Sequence, residues 1–235
     1  MAQAILFGAI AGAAIPLGGL CAKWERIGPR WLEAEFRHSV IAFGGGVLLA
    51  AVALVLVPEG VKTLPVHWTA VAFGGGGLLF FIVERAIERS GTRAGQVLAM
   101  LLDFVPEALA MGAAFATGEP AGVLLALLIA AQNLPEGFNA YRELTAGPHW
   151  RRGGALLGWF CLLALLGPLA AWAGNVILAD APSTVGAIML IASGGILYLT
   201  FQDIAPQSRL ERHWAPPLGA VAGFLFGLVG QMLLS

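Results

Sequence analysis

Long apolar runs separated by short polar links dominate this chain. A membrane-spanning helix needs about 20 mostly apolar residues. Eight runs meet that length, at about 3–22, 38–60, 67–85, 94–117, 120–141, 153–178, 182–205 and 215–234. The third is the least regular, because His67 and Glu84 trim its ends. No stretch between them reads as a soluble domain, a linker or a low-complexity tail. The pattern therefore predicts an all-α, polytopic membrane protein of eight transmembrane helices in a single domain, 1–235. The first run is read as a retained helix. Met1-Ala2-Gln3 lacks the positive start of a signal peptide, and no small-residue cleavage site is followed by a soluble domain.

The basic residues test this count. Lys23, Arg26, Arg30 and Arg37 follow the first run, and Arg85, Arg89 and Arg93 the third. Arg142, Arg151 and Arg152 follow the fifth, and Arg209 and Arg212 the seventh. Lys62 alone falls on the other side. A miscounted helix would scramble this segregation. By the positive-inside rule the basic side faces the cytoplasm, which places both termini outside. Trp24, Trp31, Trp68, Trp150 and Trp214 fall at the expected boundaries, as interfacial aromatic belts do.

Composition agrees. The chain is 58% hydrophobic and 11% charged, whereas soluble domains carry about 25% charged residues. A net charge of −1 argues against a nucleic-acid partner. Cys21 and Cys161 lack a C-x-x-C or similar motif and are expected to be buried small apolar residues. Gly44–Gly46, Gly74–Gly77 and Gly194–Gly195 suit close helix packing, with a smooth sliding face as the second reading.

Against this background two polar stretches stand out. Asp103-Phe104-Val105-Pro106-Glu107-Ala108 lies within helix 4 and Gln132-Asn133-Leu134-Pro135-Glu136-Gly137 within helix 5. Asp103 and Glu107 are four residues apart and share a helix face, as do Gln132 and Glu136. The short link near Gly118-Glu119-Pro120 makes the helices antiparallel neighbours, so the two faces can meet. A charge at mid-bilayer costs about 2.5–3.5 kcal/mol on insertion scales. No Lys or Arg lies at that depth to offset it. The compensating partner is expected from outside, as a metal ion or protons. Pro106 and Pro135 should free the carbonyls of Leu102 and Ala131, as in broken membrane helices that line cavities. The bland alternative is a set of protonated carboxyls hydrogen-bonded between helices.

Other intramembrane polar residues have weaker claims. Glu59, in Val57-Pro58-Glu59-Gly60, either guards an outer entrance or is a solvated helix end. Asp203 either serves an inner gate or pairs with a loop arginine. Asn139 and Glu143 continue the Glu136 face inward, as an exit path or, for Glu143, a partner of Arg142. Asn133 reads as supporting the site. His38, His67, His149 and His213 read as solvated residues at helix ends and loops, and Met100 and Met111 as packing.

Taken together, eight helices, outward termini and paired Pro-Glu-Gly-like motifs on helices 4 and 5 resemble the ZIP (ZRT/IRT-like) divalent metal transporters, in particular their short bacterial branch. Val57-Pro58-Glu59-Gly60 looks like that family's helix 2 ending, and Gly195 through Pro206 like its helix 7. The resemblance implies a metal site of Asp103, Glu107, Gln132 and Glu136. It also implies an elevator-like motion of helices 1, 4, 5 and 6 against 2, 3, 7 and 8. The family usually has His-Asn where Asp103-Phe104 stands, and its two-metal members have Glu-Pro where Gly167-Pro168 stands. One metal rather than a bridged pair is therefore expected.

The resemblance points to zinc, with Mn, Fe, Co or Cd as relatives' substrates. The all-oxygen donor set shifts the expectation toward broad or harder-ion preference. The expected function is thus uptake of a divalent transition-metal ion, with no catalytic residues, no cofactor, and the ion and lipid bilayer as partners. The bacterial cytoplasmic (inner) membrane is the expected location, and a homodimer is an open assembly. Alternatives are a metal-binding homologue that does not transport, a proton-coupled carrier, and an intramembrane aspartyl hydrolase using Asp103 and Asp203.

Overall fold

The computed structural model describes residues 1–27, 30–90, 95–118, 121–146, 153–209 and 215–234. Arg93, Glu119, Pro120, His149, Trp150, Arg151, Arg152, Arg212, His213 and Trp214 lie outside the described residues. No strand occurs among the described residues.

Helix α1 is Ala2–Trp24. Helix α2 starts as Arg30–Ala51, passes through a π segment Val52–Leu56, and ends as Val57–Thr63. Helix α3 is Val66–Ser90, α4 is Gly95–Thr117 and α5 is Ala121–Thr145. Helix α6 is two halves, Gly153–Ala164 and Leu166–Ile177. Helix α7 runs Pro182–Leu199, a π segment Thr200–Ile204, then Ala205–Ser208; α8 is Ala215–Leu234.

Seven of these runs are long and apolar enough to cross a membrane: α1, α2, α3, α5, α6, α7 and α8. The protein is a polytopic membrane protein on that ground. Helix α4, 23 residues long, reaches about 34 Å and carries Asp103 and Glu107; it is not among the seven.

The closest packing pairs α1 with α5, α2 with α8, α3 with α7 and α4 with α6. Backbone-to-backbone approach explains many of the glycines, though not Gly74 and Gly75, where an added Cβ would meet nothing within 4 Å. A Cβ on Gly18 would lie 2.0 Å from the Leu134 carbonyl, and one on Gly137 2.2 Å from that of Ile15, so α1 and α5 touch main chain to main chain. Gly46 against Ala220 and Gly194 against Phe73 do the same for α2–α8 and α3–α7. These glycines are packing positions.

Two local departures were not expected from the apolar pattern. Helix α6 breaks at Leu165, three residues before Pro168, which has no N–H and clashes with the Ala164 carbonyl. In α2 and α7 the residue before a proline donates five residues back: Val57 to Val52, ahead of Pro58, and Ala205 to Thr200, ahead of Pro206. Cys21 and Cys161 are exposed, which corrects the burial expected of them. In an apolar solvent a small apolar side chain gains little by facing inward.

Candidate functional site

The two rhyming stretches meet. Helices α4 and α5 pack as neighbours, with Gly118 at φ +75° ending the α4 turn in a conformation only glycine adopts freely. Their polar faces enter the protein interior. Glu107, Gln132 and Asn133 are 0% exposed and Asp103 is 4% exposed; Glu136 is half-buried.

These residues stand as two pairs with one anchor beside them. Gln132 Nε2 donates to Glu107 Oε2 at 2.5 Å. The carboxyls of Asp103 and Glu136 lie against each other. Asp103 Oδ1 also accepts the Phe104 N–H at 2.8 Å. Asn133 Nδ2 donates to the Ala11 carbonyl of α1 at 2.9 Å.

What remains is a set of acceptors. Glu107 Oε1, Gln132 Oε1, Asn133 Oδ1 and Glu136 Oε2 are buried and have no hydrogen-bond partner. Each amide has spent its N–H on a neighbour and presents its oxygen. An unpartnered buried polar atom costs about 1–3 kcal/mol, more when charged. Four orphans on one helix pair call for an explanation, and all four are satisfied by a cation or by protons.

A cavity of about 50 Å³ reaches the site. Its lining includes Asp103 and Glu136 at one end and Asn139, Asp203 and Gln207 at the other, with Gly44 and Gly45 of α2 opposite Pro135. Asn139 Nδ2 donates to Gln207 Oε1 at 3.3 Å, bridging α5 and α7. A second cavity, of about 70 Å³, opens toward the other end of the same helices and is lined by Glu59, Thr63, Ala113, Ala114 and Met189. Fully buried Met111 and Leu56 lie at the depth between the two.

No family model matches the sequence, and no curated protein matches it. The chemistry of the site therefore rests on its own residues.

Asp103, Glu107, Gln132 and Glu136 lie together on facing helices, as their spacing predicted. Yet no group of three His, Cys, Asp or Glu side chains is gathered to hold an ion among the described residues. The four side chains stand as two adjacent pairs, Glu107 with Gln132 and Asp103 with Glu136.

Asn139 and Asp203 line the inner cavity, whereas Glu143 is exposed and is not part of that lining. Asp203 shares this cavity with Asp103, although their sequence positions suggested different depths. Glu59 lines the outer cavity and pairs with Lys62 at 2.6 Å. Arg142 pairs with Glu25 and Glu33. His38 bonds the Ala34 carbonyl within its own helix and His67 stacks beside Trp68, both apart from the site.

Phe104 is fully buried, and its ring presses on Gly167: a Cβ there would lie 2.9 Å from Phe104 Cζ and 2.3 Å from the Gly8 carbonyl. The α6 break and the α1 backbone close around this ring, on the side of α4 next to Glu107. Gln207 escaped the sequence reading. It lies four residues after Asp203, so the helical period could have found it.

Proposed function

We propose that the protein is a ZIP-like carrier that moves a divalent transition-metal ion across the membrane, with α4 counted as its eighth span. The carrying observation is the set of four buried acceptor oxygens without a donor, on two adjacent helices with no cation at their depth. Buried carboxylate and amide oxygens of this kind are the donor set that a hard or borderline dication takes.

On this reading the ion draws the two pairs together. Glu107 and Gln132 exchange their mutual bond for the ion, and Asp103 and Glu136 exchange their mutual contact for it. Their oxygens then share one centre, with Asn133 held in place by Ala11. All donors are oxygens, so Mn²⁺ and Fe²⁺ stand beside Zn²⁺, Co²⁺ and Cd²⁺ as substrates. Helices α2, α4 and α7 contribute to the walls of both cavities, and α5 to the inner one. Transport requires the site to exchange the inner cavity for the outer one. With the basic side in the cytoplasm, passage from the Glu59 cavity to the Asn139–Asp203 cavity is uptake, and both termini are outside.

The test is metal uptake by purified protein in liposomes across those five ions, with Glu107→Ala, Glu136→Ala and Asp103→His alongside. Parent-like uptake by well-expressed Glu107→Ala and Glu136→Ala defeats the proposal. Metal-dependent thermal stabilisation without flux in the parent leaves a binder that does not transport. One observation favours a second reading: Asp103 and Asp203 line one cavity, as an aspartyl hydrolase would need. Proteolysis lost in Asp203→Asn and indifferent to chelators would establish that instead.

A further inference from the structure

At the basic ends of α1, α2 and α5 the charged side chains form a second organised group, separate from the candidate site. Arg142 lies on α5 one turn beyond Asn139. Its Nη1 bonds Glu25, just past the end of α1, and its Nη2 bonds Glu33 in the first turn of α2. A guanidinium fork is suited to holding two carboxylates in one fixed geometry. Glu25 is only 7% exposed there. Arg37, one turn along α2 from Glu33, interacts electrostatically with both carboxylates and with Arg142. Beneath the charges, the Phe138 ring of α5 lies 6.0 Å from the Arg142 guanidinium carbon. It meets Phe36 of α2 edge-on, with ring centres 6.2 Å apart.

Along α5 and α2 this group lies one to two turns toward the basic ends from the residues that line the inner cavity. Asn139 on α5, together with Ile41 and Gly44 on α2, lines the cavity walls just deeper in. Elsewhere α5 packs most closely with α1, and α2 with α8. Helices α2 and α5 also pack directly on each other, and the group adds a charged tie across that contact at its basic end. Any motion that closes the inner cavity changes the position of α5 relative to α2, and a fork fixed on Glu33 does not survive such a change.

We propose that Arg142, Glu25 and Glu33 form a conformational latch that holds the protein in the state open on its basic side. The latch rests on the transport reading for its purpose, but its existence is tested by accessibility, without metal flux. Cys21 and Cys161 are replaced by serine. A single reporter cysteine is placed at Ile41 in the inner cavity or at Val185 in the outer one. Labelling rates with a membrane-permeant thiol reagent are then compared in vesicles.

Glu33→Gln is expected to slow labelling at position 41 and speed it at position 185, shifting the ratio of rates about fivefold. Arg142→Lys, which keeps the charge but not the fork, is expected to shift it part-way. An unchanged ratio in both variants overturns the latch, including the case where only thermal stability falls. Failure of both variants to fold also overturns it, since the group would then be a structural tie. Absent metal uptake in the parent sinks the transport reading and leaves the labelling result standing.

Discussion

Replacing Glu107 with glutamine separates ion binding from packing. In the parent, Glu107 is fully buried, its Oε2 accepts Gln132 Nε2 at 2.5 Å, and its Oε1 has no partner. Gln132 Oε1 is an orphan as well. A glutamine at 107 keeps the shape. Its amide oxygen still accepts from Gln132, and its amide N–H reaches the orphaned Gln132 Oε1. The new neutral bond contributes about 1 kcal/mol, and relief of a buried unpaired acceptor about 1–3 kcal/mol. Against these stands the lost charge assistance of the existing bond, about 1 kcal/mol. The balance favours the ion-free variant by about 1–3 kcal/mol, or about 3–9 °C for a chain of this size. The same change removes a charged ligand, and a loss of about 3 kcal/mol weakens ion binding about a hundredfold. The assay is thermal unfolding in detergent, with chelator and with added ion, beside uptake in liposomes. Glu107→Gln should melt at or above the parent in chelator, lose ion-dependent stabilisation and lose flux. A variant that melts below the parent in chelator, or that the ion stabilises as much as the parent, refutes the reasoning.

Other outcomes follow from the same geometry. Saturating ion, at about 100 times its Kd, should stabilise the parent by about 2.7 kcal/mol, and Glu136→Ala should abolish that shift in the same thermal assay. Gly167→Ala should destabilise by about 1–3 kcal/mol through overpacking. Truncating Phe104 should not rescue it, because the nearer obstacle is the Gly8 carbonyl at 2.3 Å; parent-like unfolding of the double variant disproves this. Asn133→Ala should cost about 1 kcal/mol, while Asn133→Asp, which sets a second acceptor against the Ala11 carbonyl, should cost more in chelator and recover part of it when ion is added.

How much was legible beforehand depends on the physical range of each determinant. Helix ends were readable because apolar run lengths and basic flanks are one-dimensional signals; the expected 215–234 is the observed α8, and 182–205 is α7 short of its last turn. The facing of Asp103 and Glu107 with Gln132 and Glu136 was readable because a helical period and a short link suffice. The break in α6 was not, since Leu162–Leu166 is apolar on either side of it. Its cause is Pro168 acting three residues back, with α1 glycines admitting the bend. The pairing of Glu107 with Gln132 and of Asp103 with Glu136 was also out of reach, because rotamers in a buried interior answer to neighbours across helices. The Arg142 fork depends on Glu25 and Glu33, more than a hundred residues away along the chain.

The prolines connect these particulars. Interior prolines occur at Pro16 in α1, Pro58 in α2, Pro106 in α4, Pro135 in α5, Pro168 in α6 and Pro206 in α7. Helices α3 and α8 have none beyond the first turn, and their spans are the least enclosed, 17% and 11% buried. A proline frees a carbonyl that lipid cannot satisfy, so it is tolerable only where protein or a cavity supplies a partner. Pro58 shows the rule at work: the carbonyl four residues back, Leu54, receives Gln231 Nε2 of α8 at 3.4 Å. Pro106 and Pro135 stand one residue before Glu107 and Glu136, and the inner cavity is lined by Pro135 itself. An interior proline, unpartnered carboxylate oxygen and cavity wall thus fall on the same helices, α4 and α5. A scaffold built only to be stable would keep these three costs apart, and their coincidence is the strongest reason to treat this helix pair as the working part of the protein.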